Sequence, residues 1–93
     1  MNEWSELPER LIIRVRGGFE PRVLVIPAGA PHVLEVRRES PHMCADRFVM
    51  PALQLTEALR VGEALRIALP PLSPGQYEFS CAFGMKRGRL IAR

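Results

Sequence analysis

Cysteine, histidine and lysine are all scarce in this 93-residue chain, which has two Cys, two His and, as Lys86, a single lysine. The two cysteines, Cys44 and Cys81, lie far apart, and neither belongs to a Cys-x-x-Cys pair. That argues against a zinc ribbon and against a thioredoxin-type redox motif. No apolar run approaches the ~20 residues of a membrane span. The first ten residues, Met1 to Arg10, are polar and acidic and lack the basic start and apolar stretch of a signal peptide. A cytoplasmic location is therefore expected, and with it a preference for thiols or metal ligands over a structural disulfide. Aromatic residues are few as well, with four Phe, one Trp and one Tyr, so the core must be mainly aliphatic.

Charge is also sparse in one respect. The formal net charge is only +3, and basic residues are interleaved with acids, as in Arg37-Arg38-Glu39. A nucleic-acid binder concentrates Lys and Arg on one face, often between aromatics, so nucleic acid is not an expected partner. No nucleophile–base pair, carboxylate dyad or phosphate loop is legible. Cys81 and His42 would make a thiolate–imidazole couple with no third group to orient it. An enzyme is not expected.

What the chain does have is punctuation. Nine prolines and seven glycines cut it into short pieces, which disfavours long helices. Several pieces alternate apolar and polar residues, the pattern of half-buried strands. Strands are expected at Leu11 to Arg16, Arg22 to Ile26, His32 to Arg37, Arg47 to Met50, Glu63 to Leu69, Gln76 to Ser80 and Arg89 to Ala92. Ala52 to Leu59 is ambiguous and has room for a helical turn. Seven short strands with frequent turns indicate an antiparallel sandwich or barrel, and two sheets would close them over one core. The length suits a single domain, residues 1–93, with residues 1–10 as an N-terminal extension.

The chemistry-bearing residues are sulfurs. His42-Met43-Cys44 follows the third strand, and Cys81-Ala82-Phe83-Gly84-Met85 lies between the last two. Thiolate and thioether are soft donors that favour Cu(I), and loops remote in sequence can gather at one end of a sandwich. On residue types and spacing alone, a metal site, free thiols and a disulfide all remain open.

From Phe19-Glu20-Pro21 onward the chain resembles the cupredoxin-like domains of bacterial copper-handling proteins. These include Cu(I) chaperones and accessory domains of copper-exporting ATPases. The resemblance is carried by Ile26-Pro27-Ala28-Gly29, then Arg38-Glu39-Ser40 leading to Cys44. Next come Pro70-Pro71-Leu72-Ser73-Pro74-Gly75-Gln76-Tyr77-Glu78-Phe79 before Cys81, and last Gly84-Met85-Lys86-Arg87-Gly88-Arg89-Leu90-Ile91. It implies an all-β, cupredoxin-like antiparallel Greek-key β-sandwich of about seven strands. It also implies copper, as Cu(I), held by Cys44, Cys81 and Met85. Cys44 stands where blue-copper proteins carry their first histidine, and Met85 matches the family's methionine four residues after the cysteine. Phe83 replaces a second methionine common in the family.

A type 1 blue-copper centre needs a histidine after the cysteine, and none follows Cys81. A role in trafficking, sequestration or delivery to an exporter fits better than electron transfer. A copper-transporting ATPase is then a candidate partner. The alternative is a metal-free interaction domain on the same fold, with structural cysteines.

The remaining candidates have plainer readings. His42 and Met43 are read as facing solvent, with a place in or beside the metal site as the alternative. His32 is read as a hydrogen-bonded, partly buried histidine, Met50 as packing, and Trp4 as cover for one edge. Phe83 either shields a metal or fills space. Lys86, Arg87 and Arg89 form a solvated hairpin end that could also steer an acidic partner.

Overall fold

The computed structural model describes residues 11–41, 46–82, 84 and 86–93. Among them run nine strands: β1 (Leu11–Val15), β2 (Phe19–Glu20), β3 (Val23–Ile26), β4 (His32–Arg38), β5 (Arg47–Met50), β6 (Leu55–Ala58), β7 (Ala64–Leu69), β8 (Gly75–Ser80) and β9 (Arg87–Ala92). A short 3-10 turn, Pro51–Leu53, joins β5 to β6. Among the described residues no helix is long and apolar enough to cross a membrane.

The strands form two sheets, β2-β1-β4-β7 and β3-β9-β8-β5-β6. Together they make the expected all-β, cupredoxin-like Greek-key sandwich. Most neighbours are antiparallel, whereas β1 with β4 and β3 with β9 are parallel. Parallel neighbours cannot be joined by a tight hairpin. The chain therefore leaves the first sheet after β2, lays down β3 in the second, and returns as β4.

Alternation explains the layering. In β4, Leu34 and Val36 point inward and are fully buried; in β9, Leu90 and Ala92 do the same. Both sheets contribute to one core, in which Phe19 of the first sheet meets Phe48 and Phe79 of the second. The Phe19 and Phe79 rings stand edge to face with centroids 5.0 Å apart, and Phe48 lies 5.3 Å from Phe79. Edge-on and tilted rings of this kind add about 1 kcal/mol each beyond burial. Met50 is buried as packing.

Seven of the strands coincide with the alternating segments of the sequence. The other two, β2 and β6, are additions. The ambiguous Ala52–Leu59 piece resolves into the end of the 3-10 turn and then β6. Trp4 and the N-terminal extension lie outside the described residues.

Candidate metal centre

The inward face of β8 carries Tyr77 and Phe79, and the alternation continues past the strand end to Cys81. Its side chain is therefore aimed into the sandwich, and the residue is 1% exposed. The turn that follows is built on the Cys81 backbone. Gly84 donates its N–H to the Cys81 carbonyl at 3.0 Å, and Cys81 donates its own to the Lys86 carbonyl at 3.1 Å. Gly84 has φ +71°, a left-handed conformation that costs glycine little and other residues more. Arg87 braces the same turn by donating from Nε to the Gly84 carbonyl at 2.9 Å.

The Lys86 backbone N–H lies 3.5 Å from the Cys81 Sγ and donates to it. In the structure Cys81 is disulfide-bonded, so it must be reduced before it can act as a ligand.

Cys44, Met85, His42, Met43 and Phe83 lie outside the described residues. The described residues on either side of Cys44 in the sequence share one anchor. Arg38, at the end of β4, donates to the Ser40 carbonyl at 3.2 Å and to the Leu59 carbonyl at 2.8 Å. Leu59 in turn donates its N–H to the Asp46 carbonyl at 2.8 Å. Residues 40 and 46 are thus tied through the same pair, Arg38 and Leu59. The Arg38-Glu39-Ser40 motif was legible in the sequence; this tying role was not.

His32 begins β4, at the opposite end from Arg38. Its Nε2 is 3.3 Å from the Pro27 carbonyl oxygen, a bond in which the ring N–H donates. It is half-buried and hydrogen-bonded, as expected. Among the described residues no group of three or more His, Cys, Asp or Glu side chains is placed to hold a metal ion.

Sequence reasoning missed Glu35. It projects from the outer face of β4 yet its side chain is only 5% exposed, because arginines roof it. Arg37, two residues along the same face, donates from Nε to one carboxylate oxygen. Arg66, directly across on β7, donates to the other at 3.2 Å. The Arg37 hydrogen bond is the main reason the Glu35 carboxyl is held below the usual carboxylate range. Burial opposes it, and the Arg66 bond and both arginine charges add to it. The signal was available: outward positions of paired strands carrying opposite charges.

This fold, with a buried cysteine at the end of its penultimate strand, defines a class. The Cupredoxin-like domain model matches residues 5–92, and the chain belongs to that family. Among solved structures it is similar to the metal-binding domain of the Streptococcus pneumoniae D39 Cu(I)-exporting P-type ATPase CopA, solved with Cu(I). The TM-score is 0.85 at 24% identity, covering 90% of this chain and 84% of that one. It is also similar to a copper-binding protein in its apo form, with TM-score 0.83 and 26% identity over 90% of this chain and 86% of that one. Reduced auracyanin from the photosynthetic bacterium Roseiflexus castenholzii shares the fold at TM-score 0.72 and 12% identity, over 92% of this chain and 98% of that one. No curated protein matches the chain significantly.

Proposed function

We propose that this domain binds copper as Cu(I) through Cys81, Cys44 and Met85, and holds it for trafficking, sequestration or delivery to a copper-transporting ATPase. The observation that carries the reading is the Cys81 sulfur, buried at the end of β8 and accepting a backbone N–H from Lys86. The donor set is chemically suited to the metal, since two thiolates and a thioether are soft ligands that favour Cu(I) over harder ions. Two of the solved structures it resembles, at 24% and 26% identity, are a Cu(I)-bound ATPase domain and a copper-binding protein, which supports the same reading.

With no histidine after Cys81, a type 1 electron-transfer centre is disfavoured. The protein is a binder rather than a catalyst in this reading. It works in the cytoplasm, where the thiols are kept reduced.

A second reading is a metal-free interaction domain with structural cysteines. The disulfide-bonded state of Cys81 favours it. Competition with a Cu(I) chelator under reducing conditions separates the two. Expected are equimolar uptake by the native protein and a loss of at least tenfold in affinity in Cys44→Ser and in Cys81→Ser. Native-strength binding in both serine variants would refute the copper reading.

A further inference from the structure

The outer face of the second sheet carries a groove of about 450 Å³ between the start of β3 and strands β9 and β8. Three arginines line it: Arg22 just before β3, and Arg87 and Arg89 on alternate positions of β9. Gly88 forms part of its floor. A Cβ there would lie 2.6 Å from the Arg22 carbonyl oxygen, so the glycine is what lets the Arg22 backbone approach β9.

The charge in this groove is not neutralised locally. Among the described residues Glu78 is the single carboxylate lining it, 4.0 Å from Arg87 with both side chains 63% exposed. Among the described residues the Arg89 side chain bonds to the neutral Gln76 amide, at 3.1 Å, and to no carboxylate. Arg22 makes no ion pair among the described residues, and nearby Glu20 is taken by Arg16 at 3.7 Å. Exposed Lys86 adds a further cation just before β9. Val23, 45% exposed, supplies an apolar wall. The groove also touches the cysteine turn, because Arg87 both lines it and donates to Gly84.

We propose that this groove receives the copper donor, as a small anionic Cu(I) chelate, before the metal passes to Cys81. The inference rests on the copper reading and adds the class of molecule that brings the metal. A concave, partly apolar site of this volume is within the range that takes small molecules. A focused positive field raises the encounter rate of an anion while repelling a cation. The step itself is ligand exchange on protein whose disulfide a small thiol has first reduced, the thiol leaving as its own disulfide. Copper stays Cu(I), its bonds to the carrier break as bonds to thiolate sulfur form, and the Cys81 thiol proton leaves to solvent.

The test compares Cu(I) transfer to the reduced protein from the anionic bicinchoninate complex and from the cationic neocuproine complex, by stopped flow. Transfer from the anionic donor should slow with added salt, and should slow about tenfold in the Arg22→Glu/Arg89→Glu variant. Transfer from the cationic donor should be unchanged or faster in that variant. Equal effects on both donors, or none on either, would overturn the proposal. Metal-free bicinchoninate provides an arm independent of copper. It should shift the backbone amide resonances of Arg22, Val23 and Arg89 in the native protein and not in the variant. Absence of those shifts also overturns the groove, whereas their presence without any Cu(I) uptake sinks only the copper reading and the carrier role built on it.

Discussion

At the scale of single residues, Gly88 illustrates how little freedom the second sheet allows. A methyl group at this position would meet the Arg22 carbonyl oxygen and the Phe79 ring, each at 2.6 Å. Neither neighbour can yield cheaply. The Arg22 oxygen is fixed by the Arg89 N–H, which donates to it at 2.7 Å, and Phe79 is fully buried between Phe19 and Phe48. Gly88→Ala should therefore cost about 2–3 kcal/mol of stability, the upper part of the range for overpacking a filled core. Gly18 is the control. A Cβ there meets nothing within 4 Å, so Gly18→Ala should be neutral, or stabilising by about 0.5 kcal/mol through the unfolded chain. Urea midpoints for the two variants that move by equal amounts would contradict this reading of the close approach between β3 and β9.

Among the elements, β4 and β7 show how a charged group can stitch an edge strand. β7 ends its sheet, and Arg66 reaches from it to Glu35 on the neighbouring strand. Such a charge also blunts an exposed sheet edge. The Glu35 carboxyl is held below its ordinary value in the folded protein, so the unfolded chain binds its proton more tightly. The stabilisation is then complete above the unfolded value of about 4.3 and is lost as pH falls through the lower folded one. Glu35→Gln should lower stability at neutral pH by about 1–2 kcal/mol, since it weakens hydrogen bonds to two charged donors while leaving them exposed to water. It should also flatten the decline of the urea midpoint between neutral pH and acid. A parallel decline in both proteins would place the acid sensitivity elsewhere.

The strands that could be read from sequence were those with enough length to alternate. Two-residue β2 has no period to detect. β6 alternates poorly, because Thr56, Glu57 and Ala58 are all exposed. Parallel pairing of β1 with β4 and of β3 with β9 left no mark in either partner, since a local pattern says which face is buried and not which strand lies alongside. The candidate site was legible as residue types, and the inward aim of Cys81 followed from extending the β8 alternation by one step. The Lys86 N–H on its sulfur was not legible, because a backbone donor has no side-chain signature. The arginine groove was half visible: Lys86, Arg87 and Arg89 stood together in the sequence. Arg22 joins them only because β3 pairs with β9.

For the molecule as a whole, the copper site proposed above would make the state of Cys81 couple folding to metal. A ligand that binds only the folded, reduced protein stabilises it by mass action, about 4 kcal/mol when free ligand exceeds the dissociation constant a thousandfold. In a domain of this size each kcal/mol moves the melting temperature by roughly 4–8 °C. The oxidised protein has no thiolate at Cys81 to offer, and metal ligation by cysteine requires one. Calorimetry on four samples tests the coupling: reduced and oxidised protein, each with and without buffered Cu(I). Copper should raise the melting temperature of the reduced protein by about 10 °C or more and leave the oxidised protein within a degree or so of its metal-free value. The same comparison with Cys81→Ser under reducing conditions should show most of the increase gone. An equal rise in reduced and oxidised protein would mean that copper binds away from the turn between β8 and β9. No rise in the reduced protein would leave the fold intact and remove the metal from it.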